Sequence, residues 1–225
     1  MPTRRSAAAL PAASPAVVVE LRQRILDTSE RLLETEGLSA LSMREVARRA
    51  GVTHQAPYHH FADRESILAE LVTQGFDELG RRLGRANDRA APDDRERLGN
   101  ESGQAYVSYA IDHPGVFRIM FRPELCDLSR FPAARESGAR ARAELDRLVT
   151  LLYGAAAAHG LALTYWAQVH GLACLLVDGP LGQALPGLRE RRACMRETLA
   201  HFVRAMVAER VPHRNALKQG PSKSL

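Results

Sequence analysis

The chain has 225 residues, 45% of them hydrophobic, which is enough to bury a sizeable core in one large domain or two small ones. Its formal net charge of +5 suits a polyanionic partner without identifying one. Three well-separated cysteines with no CxxC pair argue against a disulfide framework or a zinc knuckle and fit a reducing cytosol. No apolar run approaches the roughly 20 residues of a membrane helix, and the N-terminus has no signal-peptide core, so a soluble cytoplasmic protein is expected. No long stretch alternates with period two, and the predicted fold class is therefore all-α.

The two ends of the chain differ in composition from its middle. Residues 1–15 are mostly Ala, Pro, Ser and Arg, and residues 212–225 are similarly poor in apolar side chains. Such segments cannot bury enough surface to fold, so a disordered arm and a disordered tail are predicted. The first helix is predicted from about Val17 to Glu36, with Leu21, Ile25, Leu32 and Leu33 on one face and Gly37 as its stop.

A helix-turn-helix pattern follows this first helix. Ser42 and Glu45 have the S-x-x-E spacing of a capping box, which predicts the start of a second helix. Gly51 lies where the chain must turn sharply, and Thr53 is a suitable N-cap for a third helix from Thr53 to about His60. Pro57 would occupy the fourth position of that helix, where it cannot give the first intrahelical hydrogen bond, so a helix with an irregular first turn is expected.

The remaining segments are also predicted to be helical. Asp63 is expected to cap a long fourth helix, whose residues 65–84 connect the N-terminal part to the body, and the clearest boundary is the stretch Asn87–Asp94. The predicted domains are residues 16–64 and residues 65–211. Further helices are predicted at about Asp93–Asp112, Pro114–Phe121, Pro132–Ala158, Leu161–Val177 and Leu188–Arg210.

The third predicted helix carries hydrogen-bonding side chains where a core-seeking helix would not. Two crossed helices joined by a tight glycine turn can place one of them in the DNA major groove. His54 and Gln55 are the candidates for base reading, whereas Thr53, Tyr58, His59 and Arg64 are candidates for phosphate contacts, and Ser42 and Arg44 would face the adjoining strand. A helical hairpin with a solvated polar face is the alternative. A metal site at the three histidines is disfavoured because no carboxylate stands at ligand spacing.

Residues 21–71 resemble the N-terminal domain of the tetracycline-repressor-like (TetR) family of transcriptional regulators. The matching features are the helix end at Glu36-Gly37, the block MREVARRAGV, the cluster Tyr58–Phe61 and the acidic-basic pair that opens the fourth helix. His54 and Gln55 stand where the family often has Lys and Gly, and Pro57 where Leu is common. The resemblance implies a homodimer whose two reading helices lie roughly 34–36 Å apart on a near-palindromic operator.

The segment Leu161–Gly179 is apolar on two faces. Trp166 and His170 share one face with Cys174, and the opposite stripe is Tyr165, Val169, Leu172 and Leu176. A helix of this kind must be buried on two sides. We therefore expect residues 161–178 and 188–210 of two subunits to form a four-helix dimer interface.

Two further stretches, Trp166–Gly171 and His113–Leu125, resemble the Trp-His-Gly subset of TetR-like C-terminal domains. In that family the domain binds a small molecule and couples this binding to DNA release. The candidate ligand-binding residues are Tyr106, Tyr109, Phe117, Met120, Phe121, Trp166 and His170. The same residues are equally suited to ordinary core packing, so pocket and core both remain open here.

Catalytic and cofactor motifs are lacking. The sequence has no GxSxG, HExxH, GxGxxG or P-loop pattern, so no enzyme, catalytic residue, metal or cofactor is expected. A helical protein-interaction module is the remaining alternative. The prediction is a transcriptional regulator, a repressor by default, that binds an operator as a homodimer and is released by a small lipophilic effector.

Overall fold

The computed structural model describes residues 15–89, 93–155 and 158–208. The predicted arm, apart from Pro15, and the predicted tail lie outside these residues. All regular structure in the described ranges is helical, which confirms the all-α prediction. The helices are α1 Pro15–Thr35, α2 Met43–Arg49, α3 Arg64–Arg89, α4 Arg95–Asp112, α5 Pro114–Met120, α6 Pro132–Tyr153, α7 Ala158–Val177, α8 Pro180–Ala184 and α9 Leu188–Ala208. Two 3₁₀ turns, Leu38–Ala40 and Ala56–His59, join the first three helices.

The described residues form two compact units that divide after Leu71, inside α3. In the first unit, α1, α2 and the start of α3 share a small apolar core. Its fully or nearly fully buried side chains are Ile25, Leu26, Leu32, Leu33, Val46, Phe61, Ile67 and Leu71. Burial of such side chains is the main favourable term for a unit of this size.

Glycine and capping residues set the ends of the helices in the first unit. Gly37 has φ +80° and ends α1, and Gly51 has φ +69° directly after α2. A side chain would be strained in this left-handed region, which is why glycine serves at both turns. Ser42 Oγ accepts a hydrogen bond from the Glu45 backbone N–H at 3.2 Å and so caps α2. Asp63 caps α3 in the same way, through the Ser66 N–H at 2.8 Å.

The second unit is organised around α4, which packs closely against both α7 and α9. The approach depends on small residues, because a Cβ at Gly103 would lie only 2.9 Å from the Tyr165 hydroxyl and 3.1 Å from Leu199 Cδ2. The Tyr165 hydroxyl donates a hydrogen bond to the Gly99 carbonyl, so this buried phenol is satisfied by the backbone of α4. The glycines of α4 are therefore packing residues.

The structure corrects three predicted elements. The third helix is a turn followed by the 3₁₀ segment Ala56–His59, because Pro57 has no N–H to give to the Thr53 carbonyl, which accepts from Ala56 at 3.0 Å instead. The helix predicted to run to Ala158 ends at Tyr153, where Gly154 has φ +82°. The short helix α8 was not predicted.

Helix α7 contains a segment of 18 residues, Gly160–Val177, that is long and apolar enough to cross a membrane. The expectation of no such run was therefore too strict. A third of this stretch (33%) is buried within the protein, and α7 contacts α4, α6, α8 and α9. Helix α7 thus packs against four other helices of the second unit.

Candidate functional site

A polar surface lies on the first unit between α2 and α3. We call this set the reading surface, and its exposed members are Ser42, Arg44, Thr53, His54, Gln55, Tyr58 and His59. The rings of His54 and Tyr58 lie 5.9 Å apart, and Pro57 between them is buried. The 3₁₀ turn thus buries its proline and presents its polar side chains to solvent.

Charge on α2 is partly compensated within the helix. Glu45 accepts hydrogen bonds from Arg48 and Arg49, which lower the pKa of its carboxyl to about 2. Arg49 also pairs with Glu36 at 2.7 Å. Arg44 makes no ion pair with the described residues, so its positive charge is available to an external anion.

Arg64 differs from the other predicted DNA-contacting residues. It is half-buried, and its Nη2 donates to the Leu38 carbonyl at 2.7 Å. This bond ties the start of α3 to the turn after α1. Arg64 therefore has an internal structural partner, which the sequence did not reveal, besides any contact with phosphate.

A cavity of about 760 Å³ lies within the second unit. Of the seven predicted ligand-binding residues, five line it: Tyr106, Met120, Phe121, Trp166 and His170. Tyr109 and Phe117 do not line it. The Tyr109 hydroxyl instead donates to Met120 Sδ at 3.4 Å, and the Phe117 ring packs edge-on against Phe121, so both residues form the layer behind the wall.

Three aromatic side chains form a hydrogen-bonded group in the cavity wall. The Tyr106 hydroxyl accepts from Trp166 Nε1 at 3.2 Å and lies 2.9 Å from His170 Nδ1. Burial lowers the pKa of His170 and raises the pKa of Tyr106, so both side chains are neutral at pH 7. In the tautomer that carries its proton on Nε2, His170 accepts at Nδ1 from the Tyr106 hydroxyl, and its Nε2 lies 3.5 Å from Cys174 Sγ. In that tautomer every polar atom of the three side chains has a partner without a ligand.

Sequence reasoning missed the contribution of α6 to this cavity. Arg135 and Arg142 line it together with Gly138 and Ala139 between them. The Arg142 guanidinium carbon lies 5.1 Å from the centroid of the Trp166 ring. The signal in the sequence was their spacing: Gly138, Ala139 and Arg142 follow Arg135 by three, four and seven positions, so the four residues share one helix face.

Helix α7 also carries a stripe of apolar and small residues beside the face that lines the cavity. Tyr165, Val169, Leu172 and Leu176 are buried within the unit, and Trp166 and His170 line the cavity. This stripe is Leu163, Ala167, Gly171 and Leu175, of which the two leucines are 57% and 44% exposed. We call this set the α7 stripe. Leu163 and Ala167 also stand at the edge of the cavity.

Comparison with known proteins identifies both units. The model of "Bacterial regulatory proteins, tetR family" matches residues 25–71, and that of "Tetracyclin repressor-like, C-terminal domain" matches residues 100–202. The HTH-type transcriptional regulator AcrR of Shigella flexneri is 44% identical over 61 residues, which cover 27% of this chain and 28% of that protein. The HTH-type transcriptional repressor KstR2 of Mycolicibacterium smegmatis is 27% identical over 120 residues, 53% of this chain and 57% of that protein.

The likeness extends to the fold of both units. A solved structure from Rhodococcus sp. RHA1, described as a protein with unknown function, is 29% identical and covers 84% of this chain and 94% of its own, with a TM-score of 0.68. The chain spans less than two thirds of the length of the two curated relatives, which are regulators rather than enzymes. The two family models lie on the two structural units, and the chain belongs to the TetR family of bacterial regulatory proteins.

Proposed function

We propose that this protein is a cytoplasmic transcriptional repressor that binds a near-palindromic operator as a homodimer and is released by a small, largely apolar effector. The observation that carries the proposal is the reading surface: seven polar side chains, each exposed, at the start of α2 and between α2 and α3 on a small, well-packed unit. Ordinary solvated faces are rich in Lys and Glu, whereas His, Gln, Tyr and Thr can bond base edges and phosphates. The domain limits proposed for these roles are residues 16–64 for DNA binding and residues 65–211 for the effector and the dimer.

The roles proposed within the reading surface follow from exposure. His54 and Gln55 precede the 3₁₀ turn and are both exposed, so they are proposed to read bases. Thr53, Tyr58, His59, Ser42 and Arg44 are proposed to contact the phosphates on either side. Arg64 is proposed to contact a phosphate through the guanidinium nitrogens that do not bond the Leu38 carbonyl.

Dimerisation is supported by the α7 stripe. Two exposed leucines flank Ala167 and Gly171, and such small residues let a second helix approach closely. Leu188 on α9 is also 53% exposed. Exposed apolar residues aligned on a helix are typical of a protein interface. We therefore assign the dimer interface to α7 and α9.

The cavity provides the means of control. A ligand that binds better to one arrangement of the dimer shifts the population toward that arrangement. DNA affinity falls if the distance between the two reading surfaces in that arrangement does not match the distance between the operator half-sites. A volume of about 760 Å³ with an aromatic lining is in the range of small-molecule sites. Tyr106, Trp166 and His170 would orient the effector, Met120 and Phe121 would contact its apolar body, and Tyr109 and Phe117 would support them from behind.

The test is selection of bound fragments from the source genome by the purified full-length chain, followed by titration of the recovered operator. Gln55→Ala is expected to relax base preference at one position in each half-site, with a loss of about 1–3 kcal/mol on the preferred operator and little loss on the operator changed there. Gln183→Ala, at an exposed position of α8, is the control and leaves all affinities unchanged.

Two outcomes would contradict the proposal. An equal loss on every operator variant would remove Gln55 from base reading. Recovery of no fragment at low salt would overturn DNA binding itself, because phosphate contacts strengthen as salt falls.

A further inference from the structure

The wall that α6 contributes to the cavity has an unusual composition. Arg135 and Arg142 stand two turns apart, with Gly138 and Ala139 between them. Gly138 lets the Phe76 ring pack against α6, since a Cβ there would lie 3.5 Å from Phe76 Cε2. Leu145 continues the same wall one turn further on. This face therefore combines an apolar surface with two positive charges.

These charges have no counter-charge inside the cavity. Of the described residues that line it, none is Asp or Glu. Arg135 makes no side-chain hydrogen bond or ion pair with the described residues. Arg142 has one long contact, from Nε to Asp146 Oδ1 at 3.3 Å, and its two terminal nitrogens bond no described residue. The two terminal nitrogens of Arg142 can therefore donate hydrogen bonds to both oxygens of a carboxylate.

The other polar groups of the wall do not attract a cation. Tyr106, Trp166 and His170 satisfy one another, and all three are neutral at pH 7. Arg142 covers one face of the Trp166 ring, which is the site that an ammonium ligand would use in a cation–π contact. A cationic ligand would thus meet two arginines and an aromatic face that is already occupied.

We propose that the cavity takes an amphipathic anion, an apolar chain that carries a carboxylate, with the carboxylate on Arg142 and Arg135 and the chain among Phe76, Leu79 and Phe121. This inference rests on the proposed function of the cavity as an effector site and narrows its ligand class. Phe76 and Leu79 on α3 and Phe121 after α5 supply apolar surface in the same cavity, with the Phe76 ring packed against Gly138 of α6. The carboxylate replaces its hydration by two guanidinium groups, and the chain leaves water for an apolar wall.

The test uses three ligands of equal chain length: dodecanoate, dodecanol and dodecylammonium, each below its micelle concentration. Trp166 is the only tryptophan of the chain and lines the cavity, so its fluorescence reports binding to the full-length protein. We expect dodecanoate to bind most tightly. Arg142→Gln should weaken dodecanoate binding about tenfold and leave the affinity for dodecanol unchanged. Arg142→Lys should restore part of the loss, because it keeps the charge without the fork.

Arg147→Gln on the same helix is the matched control, since Arg147 is exposed, pairs with Asp88 and does not line the cavity. A thermal melt of each variant confirms folding. Equal affinity for dodecanoate and dodecanol, tighter binding of dodecylammonium, or the same loss with Arg147→Gln would overturn the inference. Operator binding by the unliganded protein is measured in parallel, so a failed ligand test with intact operator binding refutes the ligand class alone, whereas loss of both refutes the proposed function.

Discussion

At the scale of single residues, His170 in the cavity wall makes the stability of the protein depend on pH. Burial lowers its pKa below the ordinary 6.5, so the folded protein holds it neutral at pH values where the unfolded chain binds a proton. The stability that neutral His170 contributes is complete above pH 6.5 and is lost as pH falls from 6.5 through the folded pKa. His60 titrates in the same direction, because its burial, His59 and Arg22 also lower its pKa.

The prediction is that the free energy of unfolding of the wild type falls between pH 6.5 and pH 5, and that His170→Gln makes this fall shallower. Denaturant unfolding at a series of pH values measures it. His54→Gln, at an exposed histidine of the first unit, is the control substitution. Parallel curves for the wild type and His170→Gln would show that His170 titrates alike in both states.

The sequence predicted which side chains share a face of one helix, but it did not predict which buried side chains line the cavity and which pack behind its wall. Trp166 and His170 share a face by their spacing, and the cavity confirms that they lie together. Tyr109 and Phe117 have equally suitable chemistry, yet they are buried behind the cavity wall. The sequence could not predict this, because helical spacing does not reveal on which side of a buried helix a cavity lies. Arg142 was missed since an isolated arginine on a charged helix is usually a solvated residue.

At the scale of elements, substitutions at the start of α2 can distinguish an effect on folding from an effect on the proposed DNA binding. Ser42 both caps the helix and belongs to the reading surface. Ser42→Ala removes the cap and is expected to lower the free energy of unfolding by about 1 kcal/mol. Ser42→Asp keeps a capping oxygen and also favours the positive end of the helix dipole, so it should retain stability.

The two variants should have the opposite order in DNA affinity. Ser42→Asp places a negative charge at a proposed phosphate contact and should weaken operator binding more than Ser42→Ala does. Thermal melting and operator titration of both variants measure the two effects. If Ser42→Asp bound the operator as well as the wild type, Ser42 would be a capping residue that does not approach DNA.

Element boundaries were predictable where a single residue dictates them. Ser42, Asp63 and Gly37 each act at the position that the sequence indicated, because capping and positive φ are local effects. The turn Ala56–His59 departs from the predicted α-helix, since Pro57 has no N–H to donate to the Thr53 carbonyl. The early end of α6 follows from Gly154, which was overlooked beside the more obvious His159-Gly160 stop.

At the scale of the whole molecule, the proposed function depends on two copies of the reading surface acting together. A single unit contacts one half-site, and a near-palindromic operator gains affinity only when a dimer holds both surfaces at once. The α7 stripe is the exposed apolar face that we assign to this contact. Its leucines flank small residues and so provide a self-complementary surface of the kind that a twofold interface requires.

Leu175→Glu therefore tests the assembly of the molecule. Leu175 is 44% exposed in the single chain, so the substitution should leave thermal stability of the monomer nearly unchanged, whereas a dimer would bury two facing carboxylates. We expect light scattering to give the mass of one chain and operator affinity to fall at least about tenfold, with binding to an isolated half-site retained. Leu151→Glu is the matched control, because Leu151 is similarly exposed (39%) but lies on α6, and it should remain dimeric. A dimer that survives Leu175→Glu would place the interface elsewhere, and a wild type that is monomeric while binding the full operator would remove the need for one.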